Sequence, residues 1–61
     1  MILGGIIAML AAGIAQLAQQ AGQSIQQWIN SPQGKQKIQN LVTQFGPDVL
    51  KEIAKKLGID L

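Results

Sequence analysis

The chain has no cysteine, no histidine, no arginine and no tyrosine, and only one Trp and one Phe among its 61 residues. Without cysteine there is no disulfide and no thiolate to hold a metal. Without histidine the commonest acid–base catalyst is missing. Without arginine, the commonest specific base contact, its bidentate fork on guanine, is missing too. Charge is also scarce, at five lysines and three acids, net +2. The first charged side chain is Lys35, so residues 1–34 carry none. These absences exclude thiol chemistry, histidine catalysis and most metalloenzymes. A chain this short forms one small domain, covering 1–61, and buries only about 60% of its unfolded surface.

What is present is apolar and amidic: 48% of residues are hydrophobic and ten are Gln. Met1 to Ala15 is apolar throughout. A secretory signal needs a basic region ahead of its apolar core, and Ile2-Leu3 follow Met1 directly, so no signal peptide is expected. A membrane-crossing helix needs ~20 apolar residues. Here Gln16 interrupts the run, Gly4, Gly5 and Gly13 weaken it, and no Lys or Arg flanks it.

The spacing predicts one long helix over about 2–29. On a helical wheel Gln16, Gln19, Gln20, Gln23, Gln26 and Gln27 fall within an arc of about 120°. Ile14, Leu17, Ala18, Ala21, Ile25, Trp28 and Ile29 occupy the opposite arc. Before Ile14 the helix is apolar all round and asks for neighbours on every side. Ala8 with Ala12, Ala11 with Ala15, and Ala18 with Gly22 are each four apart, a spacing that lets helix axes approach closely.

Asn30-Ser31-Pro32 ends this helix and starts another. Ser31 suits an N-cap and Pro32 the first helical position, giving a turn over 30–34 and a second helix over about 32–57. Gly34 is expected to loosen its first turn. Ile38, Leu41, Val42 and Phe45 keep helical spacing until Gly46-Pro47, where a kink or short break is expected. Val49, Leu50, Ile53, Ala54 and Leu57 then resume the pattern on a stripe rotated by about 80°. Gly58-Ile59 reads as a C-cap with its trailing hydrophobic contact, and Glu52–Lys56 as an i, i+4 ion pair.

Two arms of ~42 Å and ~39 Å, at 1.5 Å per residue, predict an all-α antiparallel hairpin with a kinked second arm. Such a hairpin has no closed core. It is therefore expected to be an obligate helical homo-oligomer. Subunit packing would fall to Ala8, Ala11, Ala12, Ala15, Ala18, Gly22, Ile14, Leu17, Ile25, Trp28 and Phe45. The Gln stripe would pair between identical subunits, since an amide both donates and accepts.

No catalytic constellation, cofactor motif or metal-ligand cluster stands in the sequence, and a non-enzyme with no small-molecule substrate is expected. Asp48 and Glu52 lie one turn apart but have no cleft to perturb them. Lys51, Lys55 and Lys56 are largely balanced by Asp48, Glu52 and Asp60. Lys35 and Lys37 differ: they follow a helix start and have no acid within ten residues. With Ser31, Gln33 and Gly34 they form a candidate contact for nucleic-acid phosphate, useful only when repeated along an array.

The apolar MILGGIIAMLAAGIA opening, the SPQGKQK turn and the FGPDVLKEIAKKLGIDL close together resemble the small all-helical coat proteins of rod-shaped and filamentous viruses. Among these the chain is most similar to the major coat proteins of the bacilliform, clavavirus-type viruses of hyperthermophilic archaea. The resemblance spans the whole chain as a style rather than a motif. It implies a virion protein, made in the host cytoplasm, whose copies form a helical shell around double-stranded DNA with Lys35 and Lys37 toward the genome. Lipid is an optional further partner. Filamentous bacteriophage coats fit less well, because they usually carry a signal peptide and an acidic N-terminal part. The alternative from another class is a membrane-active cationic peptide, such as a leaderless bacteriocin or small holin. A glutamine face, however, offers no attraction to anionic lipid. A non-viral filament subunit is a third option.

Overall fold

The computed structural model describes residues 2–61, and side-chain surroundings from residue 4 onward. It is all-helical, as expected. The helices are α1 (Ile2–Gln20), α2 (Ile25–Asn30), α3 (Pro32–Phe45) and α4 (Pro47–Leu57). α1 packs on α2 and α4, and α3 packs on the same two, so α1 and α3 occupy one diagonal and α2 and α4 the other. One apolar cluster fills the centre and takes side chains from all four helices, among them Ile14, Trp28, Leu41 and Ile53. Ile14 and Ile53 are fully buried, each worth about 1.5–3 kcal/mol relative to exposure.

The extended hairpin is not the observed shape. The molecule measures 33 × 18 × 16 Å, too short for a straight 42 Å arm. Each arm is folded once more, and the chain closes a core of its own. The first fold falls inside the expected 2–29 helix. Gly22 is left-handed at φ 70°. Its N–H donates to the Gln19 carbonyl at 3.0 Å, and the Gln23 N–H reaches the Ala18 carbonyl at 3.0 Å. Those two bonds form a Schellman end, which a left-handed glycine permits at little cost. Ser24 then caps α2. Its Oγ accepts from the Gln27 N–H at 3.2 Å, and Gln27 Oε1 accepts from the Ser24 N–H at 3.1 Å. This is a reciprocal capping box. Three of the six stripe glutamines, Gln23 in the turn and Gln26 and Gln27 on α2, are thereby removed from a continuous α1 face.

The joint at Ser31-Pro32 stands where expected, with Ser31 capping α3 and Pro32 in its first turn. Gly34 plays a different part from the loosened turn foreseen for it. It is buried where α3 crosses the end of α2, and a Cβ there would lie 1.9 Å from the Trp28 carbonyl oxygen. Only glycine lets these backbones touch.

Gly46 separates α3 from α4, with Pro47 in the first turn of the latter. This break absorbs the rotation between the two apolar stripes, so Leu41 and Ile53 enter the same cluster. α4 ends as foreseen. Gly58 is left-handed (φ 68°, ψ 37°), the Ile59 N–H reaches the Ala54 carbonyl at 3.1 Å, and Ile59 packs back on the core.

Candidate assembly and nucleic-acid surfaces

The expected phosphate contact is only partly assembled. Ser31 Oγ accepts from the Gly34 N–H at 3.1 Å and donates to the Trp28 carbonyl. Both Ser31 and Gly34 are therefore committed to the α2–α3 corner and drop out of the candidate set. Gln33, Lys35 and Lys37 are exposed. Two residues along a helix means a turn of about 200°, so the two lysines project from opposite flanks of α3. Lys35 faces a shallow groove of about 310 Å³, shared with Ile29, Ile38, Asp60 and Leu61. The pair makes two separate positive points, not one cluster.

α4 carries its charges outward. Asp48, Lys51, Glu52, Lys55 and Lys56 are all exposed. Asp48 lies in the first turn and Lys55 and Lys56 in the last, each favourable to the helix dipole. The ion pair differs from expectation. Glu52 meets Lys55 at 3.8 Å, three residues on, rather than Lys56. Asp48 and Glu52 flank a shallow surface hollow with Lys51 and Lys55, and the nearby cations offset the carboxylates. Among the described residues no group of three acids gathers as a metal site.

The expected subunit contacts divide into two sets. Ala11, Ile14, Ala18 and Trp28 are buried in the chain's own core and are withdrawn from subunit packing, because their contacts are already made. Ile25 is half-buried against the same core, and Ala15 is half-buried. Ala8, Ala12 and Gly22 are exposed, and so are Leu17 and Phe45. Gly22 belongs to a turn, so Ala18 and Gly22 do not form a helix-crossing surface.

The outer side of α1 is the most unusual surface. From Gly4 to Ala12 its exposed side chains are Gly4, Gly5, Ala8, Met9 and Ala12, without a polar group. Met9 is 76% exposed. At Gly4, Gly5 and Gly13 an added Cβ would meet nothing within 4 Å. The fold itself therefore gives no steric reason for these glycines. Further along, Gln16, Gln19, Gln20 and Gln23 remain exposed, while Gln26 is engaged within the chain.

That engagement had no sequence signal. Gln26 Nε2 donates to the Asp60 carbonyl at 3.2 Å, and the Asp60 N–H donates to Gln26 Oε1 at 3.0 Å. The Ser24 cap did have one, since Ser24-Ile25-Gln26-Gln27 is a capping-box pattern. Among the described residues no helix is long and apolar enough to cross a membrane. No family model, curated protein or solved structure matches the chain.

Proposed function

We propose that the chain is a structural coat subunit whose copies assemble into a helical, rod-like shell around double-stranded DNA, held by phosphate contact without base reading. The observation that carries this proposal is the two-sidedness of the molecule. The outer side of α1 is uncharged and apolar around Met9, and α3, at the opposite corner of the bundle, bears Lys35 and Lys37. The first surface suits a like neighbour, and the second suits a polyanion.

The subunit brings its own core to the assembly, so association joins folded units rather than completing a fold. One face of a 19-residue helix offers roughly 28 × 10 Å, well under the ~800 Å² per partner of a standard interface. A single α1 contact would make a weak dimer. An array in which each subunit meets several others adds such contacts together. Along it, Lys35 and Lys37 with Gln33 repeat often enough to matter against a polymer bearing one charge per ~1.7 Å. The assembled virion is then the protein's location.

The test is electron microscopy of the purified protein, alone and with DNA, where rods or filaments are expected. Met9→Lys should abolish them while changing monomer stability by no more than about 0.5 kcal/mol. Replacing Lys35 and Lys37 by Gln should leave rods that hold less nucleic acid. The same exposed Met9 favours one second reading, a cationic peptide acting at membranes. A monomer that empties anionic liposomes and never assembles would establish that reading and overturn the coat.

A further inference from the structure

We infer that segment 58–61 is a latch: the Gln26–Asp60 clasp holds α2 closed on the bundle, and its release lets α2, together with the Ser31 corner that pins it to α3, move off the core about the glycine turn at 21–24.

Among the described residues, every other side-chain hydrogen bond joins residues three or four apart. The ion pair found among the described residues is equally local. The clasp spans 34 residues and is doubly bonded. The Gln26 amide reads both backbone groups of Asp60, as a neighbouring strand would, so the Asp60 side chain is not involved. Gly58 turns the chain off α4 and aims it across the bundle. α2 and α4 occupy one diagonal, and the tail braces it.

The braced element is the shortest helix described. α2 has six residues, far below the ~12–15 at which an isolated helix becomes even marginal. A left-handed glycine tethers it to α1. Both clasp bonds are exposed, so water competes for them and the latch yields readily. Open, it presents Trp28 and Ile29, which are only 4% and 5% exposed when closed. The tail thus sets how much apolar surface the chain shows, whatever the outer side of α1 meets.

Hydrogen exchange on the full chain, with acrylamide quenching of Trp28, tests the latch. Gln26→Met removes both bonds and keeps the aliphatic length. α2 amides should exchange about five- to tenfold faster, matching the loss of two modest hydrogen bonds. Trp28 should become more quenchable and the first turn of α3, pinned to α2 at Ser31, should follow it, while amides of α1 and of α3 beyond that turn hold their rates. Asp60→Pro, which deletes the donated amide hydrogen and so one of the two bonds, should act in the same direction to a smaller degree, and Asp60→Ala should change nothing. Faster exchange confined to residues 59–61, with Trp28 still shielded, would overturn the latch. An equal rise in all four helices would also overturn it, since that is plain destabilisation.

Discussion

α1 and α4 lie against each other and share two of their three defining features. Each buries one isoleucine completely, Ile14 and Ile53. Each ends in the same left-handed glycine motif, at Gly22 and Gly58. They part on the outer side. α4 shows Asp48, Lys51, Glu52 and Lys55 to solvent, whereas α1 shows Gly, Ala and Met9. The inner faces and the ends belong to the fold of one chain, and α4 needs nothing more. The outer side of α1 is the part that the fold leaves unaccounted for.

Substitutions can break this comparison at each level, starting with the inner faces. Ile14→Ala and Ile53→Ala should each cost about 2–5 kcal/mol, by urea denaturation followed by circular dichroism. Similar losses would confirm that the two inner faces are equivalent, and a much smaller loss at Ile14 would show that α1 is only loosely held. At the ends, Gly22→Ala and Gly58→Ala should each cost about 1–2 kcal/mol, because both force an L side chain into the left-handed region. A neutral Gly22→Ala would mean that α1 and α2 run straight in solution. The outer sides should respond least, and unequally. Gly5→Ala and Gly13→Ala should raise the stability of the lone subunit by up to ~1 kcal/mol each, with no clash to oppose them. Lys51→Ala on α4 should stay within about 0.5 kcal/mol. If the α1 glycines accept close neighbours, the same two alanines should weaken assembly even as they stabilise the subunit.

The α1–α4 pair also shows what could be read from the residues. The end of α4 was legible because Gly58 is followed by Ile59, an apolar residue that can fold back onto the helix. The end of α1 uses identical bonds, but Gly22 is followed by the polar Gln23, so the stop signal lacked its usual companion. The Ser24–Gln27 box was available as a start signal. It was masked because Gln27 also fits a regular Gln stripe, and helical periodicity continues across a short break. Ser31-Pro32 and Gly46-Pro47 were legible because proline punctuates a helix whatever surrounds it. The separation of Lys35 from Lys37 follows from helical geometry alone. What could not be read was tertiary: that the halves fold over to share one core, that Gly34 is where two backbones touch, and that Gln26 holds the tail.

Ser31 ends α2 and begins α3 at the same time, through one hydroxyl that donates to Trp28 and accepts from Gly34. Gly46 also ends one helix and begins the next, but it caps α4 without a side-chain bond, and the turn at Gly22 has four residues between its helices. At Ser31 no residue is spare, and fraying cannot stay on one side. Loss of that hydroxyl unpins the last turn of α2 and the first turn of α3 together, so this corner melts as a single cooperative unit and transmits strain where the four-residue turn at Gly22 would absorb it.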